Sequence, residues 1–310
     1  GINGFWDYGP LGAELKRNVK ELWWNTMTRQ RDDVAGLEAT IIMSPAIWKA
    51  SGHVDTFSDP MCDCKKCKKR HRADQLCEDQ GLTLIKNADG KFALPEGTKC
   101  TNCDSKELTE PRPFNLMFKT YVGPVESEDN VAYLRPETAQ AIFAQFKNVL
   151  ETSRQKIPFG IGQIGKAFRN EVTPRNFTFR SREFEQMELE FFIKPDEAIE
   201  AIHGSVAMVP ETGHPGEPQP NWGWQAWHQY WVEERVRFYE GIGLSRETLG
   251  FHIQTKEELA HYARACTDIL FKFPFSKKDA DGNVAGDELE GIAARSDFDL
   301  SQHQRFSGKP

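Results

Sequence analysis

The chain lacks any apolar run of the roughly 20 residues that a membrane-spanning helix needs, so we expect no membrane partner. It has no signal peptide and begins without a methionine, and we interpret it as a piece of a longer protein. Basic residues are in deficit, because 39 lysines and arginines stand against 46 aspartates and glutamates, a net charge of −7. Global charge therefore does not predict nucleic-acid binding, although a local basic patch would still permit it.

Cysteine is scarce outside one segment, because six of the seven cysteines lie between positions 62 and 103. Such clustering favours a metal site in a reducing compartment over dispersed disulfides, which predicts a cytoplasmic protein. Two Cys-x2-Cys knuckles supply the predicted ligands of one tetrahedral ion, Cys64, Cys67, Cys100 and Cys103. Four thiolates leave no open position, so the predicted Zn²⁺ is structural. Four reduced cysteines without a metal are the alternative, and Cys62 and Cys77 are spare thiols for either knuckle.

The rest of the chain has the composition of a packed globular protein, with 8 Trp and 21 Phe. The spacing of apolar residues predicts helices over 11–31, 226–241 and 256–269. We interpret "ATIIMSP" as a buried strand stopped at Pro45, and "DELEGIAARSDFDL" as a final strand and turn. Because the strands come as hairpins rather than as βαβ units, the predicted fold class is α+β.

A charged hairpin occupies residues 166–192, "KAFRNEVTPRNFTFRSREFEQMELEFF", with a turn expected at 173–176. Strand alternation predicts one face made of Arg180, Arg182, Phe184, Gln186, Glu188 and Glu190. Arg169 and Glu171, at the end of the preceding strand, would oppose this face. Such a face suits a ligand that carries phosphates, a π face and an ammonium group. A solvated sheet face with paired charges is the alternative.

The hairpin resembles motif 2 of the class II aminoacyl-tRNA synthetases, through "FRNE" followed by "FRSREFEQMELEFF". Together with "DYGPLG", "SGH", "FNLMFKTYVGP" and "YLRPETAQ", it resembles the dimeric glycyl-tRNA synthetases of bacteria and eukaryotes over nearly the whole chain. The resemblance implies an antiparallel class II sheet flanked by helices, with an inserted zinc-ribbon-like module. It also implies ATP with Mg²⁺, glycine and tRNA(Gly) as ligands. A homodimer would form through motif 1, the first long helix and the strand that ends at Pro45.

The resemblance also assigns roles to individual residues. Arg169 would hold the α-phosphate and the substrate carboxylate, Glu171 would accept from the adenine amino group, and Phe184 would stack on adenine. The implied ATP-binding set is Arg169, Asn170, Glu171, Phe179, Arg180, Arg182, Phe184, Glu288 and Leu289. The implied glycine-binding set is Arg72, Glu137, Phe184, Gln186 and Glu188. The catalytic set is Arg169, Glu171 and Glu188. Glu288 would help to hold Mg²⁺.

Some of these charged residues keep an alternative role. Glu137 would suit a cap on the helix that follows it. Glu185 and Glu190 suit surface charges, or supports for the ligand-binding groups, better than ligands. Arg175 at the turn is either a solvated tip or a group that swings onto the γ-phosphate.

Shifts in composition and the resemblance together divide the chain into five segments. They are a catalytic core with motif 1 (1–60), the Cys-rich zinc-binding module (61–111), a catalytic core with motif 2 (112–200), a Gly/Pro-rich insertion (201–228), and a helical segment with a late catalytic strand (229–310). Strand alternation puts Glu288 and Glu290 of the late strand on one face, so either could meet ATP and Mg²⁺. Motif 3, which clamps the γ-phosphate in the family, is absent, and so is the anticodon-binding domain. We therefore expect this piece alone to bind its ligands weakly or to be inactive.

The implied reaction joins glycine and ATP into glycyl-adenylate, releases pyrophosphate and then passes glycine to tRNA(Gly), releasing AMP. The glycine carboxylate is itself the nucleophile, so catalysis needs positioning and positive charge rather than a Ser, Cys or His nucleophile. A non-catalytic, synthetase-like subunit that binds nucleic acid is the alternative. Such a subunit has no reason to keep four residues together, namely Arg169, Glu171, Phe184 and Glu188. A zinc-module RNA-binding protein does not explain "RPETAQ" or "FEQME".

Overall fold

The computed structural model describes residues 2–87, 90–276, 284 and 286–309, and their helices and antiparallel strand pairs confirm the α+β class. The helices are α1 (Pro10–Trp24), α2 (Pro45–Ala50), α3 (His53–Thr56), α4 (Ala73–Glu78), α5 (Ala139–Thr152), α6 (Asp196–His203), α7 (Trp224–Gly241) and α8 (Phe298–Ser307). The strands are β1 (Val34–Leu37), β2 (Ile42–Met43), β3 (Ser58–Asp63), β4 (Arg70–Arg72), β5 (Ile85–Lys86), β6 (Phe92–Ala93), β7 (Arg112–Asn115), β8 (Lys119–Tyr121), β9 (Val131–Leu134), β10 (Phe159–Phe168), β11 (Glu183–Phe192), β12 (Leu249–Ile253), β13 (Ala263–Phe271) and β14 (Asp287–Arg295). Among the described helices, none is long and apolar enough to cross a membrane.

The chain forms two compact units. The first unit contains the chain up to Arg31, Gly36–Ala144 and Gly162–Leu189, and the second contains Asp32–Ala35, Gln145–Ile161 and the chain from Glu190 onward. Strands β1, β10 and β11 contribute residues to both units. The charged segment of the hairpin and the Cys-rich module both belong to the first unit.

The strands form several small sheets rather than one continuous sheet in the order of the chain. The first unit contains the antiparallel sheets β2-β9-β8 and β4-β3-β7 and the antiparallel pair β5-β6. The second unit contains the antiparallel sheet β12-β13-β14. A further sheet has the order β1-β10-β11, and the connection between its last two strands, residues 169–182, carries all four arginines of the charged hairpin.

The helix predicted at 11–31 is present, although its last turns are wider than an α-helix. α1 ends at Trp24 and continues as a π-helical segment over Asn25–Arg29. Pro10 stands at its start, where the missing N–H of proline is not needed for an intrahelical hydrogen bond. Trp23 and Met27 are buried, so this stripe supplies the apolar contact that holds the helix. The helix predicted at 226–241 is confirmed as α7.

The strand predicted in "ATIIMSP" is shorter than expected. Only Ile42–Met43 pairs, with β9, and Ile42 is 50% exposed. Pro45 stops the strand, as predicted, and it is also the first residue of α2. Ser44 Oγ accepts a hydrogen bond from the N–H of Ala46 at 3.3 Å and thereby caps that helix. A strong helix start therefore competes with the strand for the same residues.

The helix predicted at 256–269 is wrong, because β13 occupies the second half of that range and is the central strand of its sheet. Four consecutive residues of β13 are buried, namely Cys266, Thr267, Asp268 and Ile269. A strand covered on both faces loses its polar and apolar alternation, so its apolar residues can match helical spacing by chance. The strand predicted in "DELEGIAARSDFDL" is confirmed as β14, but the helix α8 follows it instead of a turn.

Candidate ligand and metal sites

Four cysteine thiols of the first unit converge on one point. The Sγ atoms of Cys64 and Cys103 lie 3.6 Å apart, as do those of Cys67 and Cys100, and all four are within 4.8 Å of one another. Tetrahedral zinc with Zn–S bonds of about 2.3 Å would separate its sulfurs by about 3.8 Å. The cluster therefore has the donor set and the size of a four-thiolate metal site. Within the part of the chain that the structure describes, it is the one convergent group of three or more such ligands.

The backbone of each knuckle turns sharply after its second cysteine. Lys68 and Asp104 stand at those positions with φ of 60° and 54°, the left-handed conformation that reverses the chain. The N–H of Cys67 lies 3.5 Å from Cys64 Sγ, a contact that favours the thiolate. The N–H of Lys69 is the main cause of the lowered pKa of Cys67, which is about 6. The two knuckles thus hold their four thiols close together, as one ion would require.

The spare thiols Cys62 and Cys77 do not join the cluster. Both are buried, and Cys62 packs with Ala73 and Leu76 in the small apolar core of the module. Burial raises the pKa of Cys62 to about 11, so this side chain stays a neutral thiol near pH 7. The thiols that converge are therefore the four that the knuckle spacing predicts.

Strand β4 connects the cysteine cluster to a predicted ligand residue. His71 Nε2 lies 3.3 Å from Cys100 Sγ, and burial of the ring lowers the pKa of His71. The next residue, Arg72, donates from Nε to Asp74 Oδ1 at 3.0 Å, and its Nη1 is 3.4 Å from Asp59 Oδ2. A change at the cluster can therefore reach Arg72 through a single strand residue.

Glu171 and Arg180 form the predicted adenine end. Oε2 of Glu171 accepts from Nε and Nη2 of Arg180 at 2.9 and 2.8 Å, and the Glu171 residue is only 7% exposed. Both charges also act on the carboxyl of Asp59, whose pKa is raised chiefly by burial against the lowering effect of Arg72. The structure thus places Arg72, predicted for the glycine pocket, next to the adenine end.

Arg169 lies between two aromatic rings. Its Cζ is 5.3 Å from the ring centroid of Phe184 and 5.6 Å from that of Phe57. Its Nε donates to the carbonyl of Pro136 at 3.0 Å. Ring faces and a hydrogen bond along one edge fix the plane of a guanidinium. The predicted phosphate ligand and the predicted adenine shelf are therefore in direct contact.

The strand-alternation prediction is wrong for Arg180 and Arg182, because β11 begins one residue after Arg182. Arg180 closes a loop by exchanging two backbone hydrogen bonds with Arg175, at 3.1 and 3.2 Å. Arg182 donates from Nε to the carbonyl of Glu171 at 2.8 Å and from Nη1 to that of Asn3 at 2.6 Å. The guanidinium of Arg182 thus supports the loop, and its role as an ATP ligand stays a prediction.

Asn170 and Phe179 complete the predicted ATP side of the loop. The N–H of Asn170 donates to the carbonyl of Leu116 at 2.7 Å. Phe179 is 42% exposed at the end of the 3-10 turn Phe177–Phe179. At the start of that turn, Phe177 packs on Trp6 with ring centroids 4.5 Å apart. The roles of Asn170 and Phe179 toward ATP stay predictions.

The predicted glycine end converges on Thr138. Its N–H donates to Gln186 Oε1 at 3.2 Å, and its hydroxyl donates to Glu188 Oε2. The preceding residue, Glu137, has Oε2 at 3.4 Å from Nε2 of His53 and accepts from Gln140 Nε2 through Oε1 at 3.3 Å. Gln186 and Glu188 therefore share one face of β11, as strand alternation predicts. The structure brings Glu137 to the same turn of the chain.

The opposite face of β11 is a structural surface. Glu185 Oε2 is 2.7 Å from Lys16 Nζ and Oε1 is 3.0 Å from Lys20 Nζ, so this carboxylate ties β11 to α1. Glu183 pairs with Lys166. These contacts agree with the interpretation of Glu185 as a support rather than a ligand.

Replacing Glu185 by glutamine is expected to lower the free energy of unfolding by about 1 kcal/mol or less near neutral pH, because partly exposed ion pairs are screened. Burial raises the pKa of Glu185, but the hydrogen bonds from Lys16 and Lys20 outweigh it, and the pKa of the folded state is lowered. The ion pairs therefore stabilise the fold above the unfolded pKa of about 4.3 and are lost as pH falls through the folded value.

Urea unfolding of wild type and Glu185→Gln at about pH 7 and about pH 3 checks this expectation. The two proteins should differ at the higher pH and converge at the lower one. A difference of the same size at both pH values would assign the effect to packing rather than to charge.

In the second unit, Glu288 and Glu290 lie on opposite faces of β14. Glu290 accepts from Nε of Arg235 at 2.7 and 2.9 Å and from the hydroxyl of Tyr239 at 2.5 Å. A Cβ placed on Gly291 would be 3.2 Å from Glu288 Oε1 and 3.2 Å from Asp268 Oδ1, so Glu288 shares the Gly291 face.

The prediction that Glu288 and Glu290 share a face is wrong because the strand pair contains a bulge. Glu290 stands opposite Ile269, whereas Glu288 stands opposite the next residue, Leu270. One residue of β14, Leu289, is therefore extra, and an extra residue reverses the alternation on either side of it. The carboxylate of Glu290 is bound by Arg235 and Tyr239 of α7. Glu288 therefore remains the predicted partner of ATP and Mg²⁺, with Leu289 beside it in the bulge.

Residue patterns missed three side chains that support the predicted glycine end: His53, Thr138 and Gln163. His53 and Thr138 lie inside the motifs "SGH" and "RPET", which the resemblance uses, but these motifs alone do not indicate what either residue contacts. Gln163 gave no signal, because a single amide in an apolar strand reveals its purpose only through its partners. His53 contacts Glu137, Thr138 donates to Glu188, and Gln163 donates to the carbonyl of Thr138.

The comparisons with known proteins agree with these observations. Residues 119–212 match the family model described as the tRNA synthetase class II core domain (G, H, P, S and T). The chain is 47% identical to the "Glycine--tRNA ligase" of Mycolicibacterium vanbaalenii, over 99% of this chain and 60% of that protein. It is 47% identical to the protein of the same name from Bacillus thuringiensis subsp. konkukian, over 100% of this chain and 62% of that protein.

A third relative, "Glycine--tRNA ligase" of Geobacillus thermodenitrificans, is 45% identical over 100% of this chain and 61% of its own length. The chain thus spans about three fifths of the length of the curated relatives that it matches. A solved structure of the RNA binding domain of threonyl-tRNA synthetase from Cryptosporidium parvum is similar at 15% identity with a TM-score of 0.46, covering 91% of this chain and 54% of that chain.

Proposed function

We propose that this chain, which belongs to the glycine--tRNA ligases among the class II aminoacyl-tRNA synthetases, carries the site at which glycine and ATP become glycyl-adenylate. Pyrophosphate is released in this first step. Glycine then passes to tRNA(Gly), and AMP leaves. The observation that carries the proposal is the arrangement in the first unit. Arg169 and Phe184 are in contact, and Gln186 and Glu188 follow on the same face and meet the Glu137 turn at Thr138.

At the ATP end, the residues present a fixed positive group beside a fixed ring. Arg169 would bind the α-phosphate and the glycine carboxylate, which bear the charge that builds up as oxygen attacks phosphorus. A bond forms between the carboxylate oxygen and the α-phosphorus while the bond to the bridging oxygen of pyrophosphate breaks. Phe184 would carry the adenine, and Glu171, held by Arg180, would accept from its amino group. Positioning and charge then do the work that a covalent nucleophile does elsewhere.

Mg²⁺ enters this proposal as a companion of ATP, with Glu288 as the carboxylate that would help to hold it. The contacts of Glu290 with Arg235 and Tyr239 support that choice between the two glutamates. Structural Zn²⁺ would be held by four ligands, Cys64, Cys67, Cys100 and Cys103. The convergence of their thiols supports this assignment, and a four-thiolate ion would contribute folding energy rather than chemistry.

At the glycine end, two carboxylates would bind the ammonium group. Glu137 and Glu188 carry negative charge, and the turn at Thr138 brings them to one place. Glycine has no side chain to hold, so a pocket can select it only by binding its two charged groups while leaving no room for a methyl. Overpacking a close-packed site costs about 1–3 kcal/mol or more, which is enough to disfavour larger amino acids.

A second copy of the chain and tRNA(Gly) complete the proposed partners, in the cytoplasm. Leu11 and Leu15 of α1 are 89% and 66% exposed. Large apolar side chains in a row on one helix are typical of a surface covered by another protein. This exposure supports a homodimer in which α1, the motif 1 helix, is covered by its counterpart.

The test is glycine-dependent exchange of pyrophosphate into ATP by the full-length protein, with Glu188→Gln and Glu185→Gln as a matched pair on opposite faces of β11. Glu188→Gln removes one of the charges that would bind the ammonium, so the KM for glycine should rise about 10- to 100-fold. The KM for ATP should change by less than about 3-fold. Glu185→Gln should behave like wild type in both.

Three results would contradict the proposal. Exchange that depends on another amino acid instead of glycine would overturn the substrate. An equal loss of glycine and ATP affinity in Glu188→Gln, or no loss, would remove Glu188 from the glycine end. Absence of exchange with every amino acid would favour a non-catalytic nucleic-acid-binding protein.

A further inference from the structure

Three buried polar residues of the first unit form a continuous chain of hydrogen bonds behind the proposed glycine end. They are Arg135, Thr138 and Gln163, which are 2%, 0% and 0% exposed. Gln163 Nε2 donates to the carbonyl of Thr138 at 2.9 Å, and its Oε1 accepts from Nη1 of Arg135 at 3.0 Å and from the N–H of Ala39 at 3.1 Å. Burial of so many polar groups is unfavourable unless each has a partner, and here each group of the Gln163 amide has one.

The orientation of Gln163 follows from the chemistry of its partners. Arginine and a backbone N–H can only donate, and a carbonyl can only accept, so the amide has one possible orientation. Thr138 is therefore held from behind by a donor that cannot rotate without losing three hydrogen bonds. Because Gln163 is fixed, Thr138 is fixed too, and the groups that Thr138 contacts on its other side are held in place.

Arg135 is fixed just as firmly. Its Nε donates to the carbonyl of Lys166 at 2.7 Å, and its Nη1 donates to the carbonyl of Ala39 at 3.1 Å. A Cβ on Gly165 would stand 2.0 Å from Nη2 of Arg135, so any other residue at this position would force the guanidinium to move. Gly165 of "GQIG" therefore makes room for Arg135 of "RPET", and the two stretches of sequence pack against each other.

We propose that Thr138, held by Gln163 and Arg135, is the positioning residue of the glycine end. It donates its N–H to Gln186 and its hydroxyl to Glu188, so one residue sets two neighbouring ligand groups on β11. The inference rests on the proposed function for the meaning of Glu188, but the geometry of the hydrogen bonds stands without it. The charge of Arg135 also acts favourably with that of Glu188, which reinforces the same placement.

The physical reason lies in the small size of glycine. A ligand with two charged groups and no side chain offers few contacts, so its affinity depends on how closely the carboxylates match its ammonium group. A free carboxylate on a strand turns about its side-chain torsions, and ordering it on binding costs part of the binding energy. A hydroxyl that already holds Oε2 of Glu188 removes that cost before glycine arrives.

The experiment compares Thr138→Val with Thr138→Ser in the full-length protein, by pyrophosphate exchange and by crystal structures of both variants. Valine keeps the shape of threonine but removes the hydroxyl, whereas serine keeps the hydroxyl. We expect Thr138→Val to raise the KM for glycine about 10- to 100-fold with kcat and the KM for ATP changed less than about 3-fold. Thr138→Ser should restore the KM for glycine to within about 3-fold of wild type.

Thr152→Val is the matched control, because the hydroxyl of Thr152 donates to the carbonyl of Asn148 at 2.6 Å within α5 and contacts no proposed ligand group. Thr138→Ala replaces Thr138→Val if the valine variant does not fold. A KM for glycine that stays at the wild-type value in both hydroxyl-free variants would overturn the inference. So would a KM for ATP that rises as much as that for glycine.

The crystal structures separate this inference from the proposed function. If wild type shows no glycine-dependent exchange, the proposed function fails, and the position of the Glu188 side chain decides the inference by itself. A Glu188 carboxylate that leaves its wild-type position in Thr138→Val and returns in Thr138→Ser supports the positioning role. A carboxylate that does not move refutes it.

Discussion

Replacing Arg169 by lysine is expected to slow glycine-dependent pyrophosphate exchange about 100- to 1000-fold while the melting temperature stays within a few degrees of wild type. Lysine keeps the positive charge but presents it as a point, whereas a planar guanidinium can bind two oxygens at once. The plane of Arg169 is set by the rings of Phe57 and Phe184 and by the Nε hydrogen bond to Pro136. A lysine ammonium can still approach the rings or the carbonyl of Pro136, but it has no plane that these contacts could fix, so the charge that remains is not directed.

The rate is measured with glycine and ATP both saturating, so that the loss reports on the step at phosphorus and not on binding. Arg237→Lys is the control, since Arg237 is an arginine that pairs with Glu234 within α7. It should exchange pyrophosphate at the wild-type rate. A loss of less than about 3-fold in Arg169→Lys would remove Arg169 from the reaction, and a large fall in melting temperature would make it a structural residue.

The sequence predicts best the parts of the site that depend on spacing along one element. Gln186 and Glu188 share a face because a strand alternates, and no partner is needed to foresee it. The knuckles likewise predict their thiols, because two cysteines three positions apart meet at a tight turn. The same reasoning stops at the ends of elements. Arg180 and Arg182 do not follow the alternation, because the loop closed by Arg175 takes the place of strand.

Tertiary partners decide what spacing leaves open. The bulge in β14 is invisible in "DELEG", since it follows from how β13 pairs, and it moves Glu288 and Glu290 to opposite faces. The buried hydrogen bonds of Gln163 with Thr138, Arg135 and Ala39 could not be predicted from the sequence for the same reason. Gln163 meets the N–H of Ala39 across 124 positions and the carbonyl of Thr138 across 25. Such contacts are set by the fold as a whole and not by a local pattern.

The second large effect is expected from Cys100→Ser, which should lose the proposed zinc and unfold the Cys-rich module. The apolar core of this module is small, with Cys62, Ala73 and Leu76 as its buried members. Structural zinc contributes about 10–16 kcal/mol of apparent binding free energy in small domains, far more than such a core can replace. Zinc content by elemental analysis should fall from about one equivalent per chain to near zero, and the thermal transition should shift to lower temperature.

Cys77→Ser is the matched control, because Cys77 is buried in the same module but lies outside the cluster. This variant should keep its zinc. Its free energy of unfolding should fall by about 1–3 kcal/mol, the cost of one buried hydroxyl, and its melting temperature should fall only by the corresponding amount. Wild-type protein that is purified without zinc, and that melts at the same temperature with and without a chelator, would sink the assignment of a metal.

Loss of zinc should also weaken substrate binding, because β4 joins the cluster to Arg72. His71 contacts Cys100, and the adjoining Arg72 is held by Asp59 and Asp74 next to the charges of Glu171 and Arg180. If the module unfolds, Arg72 loses that position and Asp59 keeps a buried carboxyl without its neighbouring cation. The KM for glycine or for ATP should then rise in Cys100→Ser but not in Cys77→Ser. A zinc-free variant with wild-type KM values would show instead that the cysteine cluster does not affect substrate binding through β4.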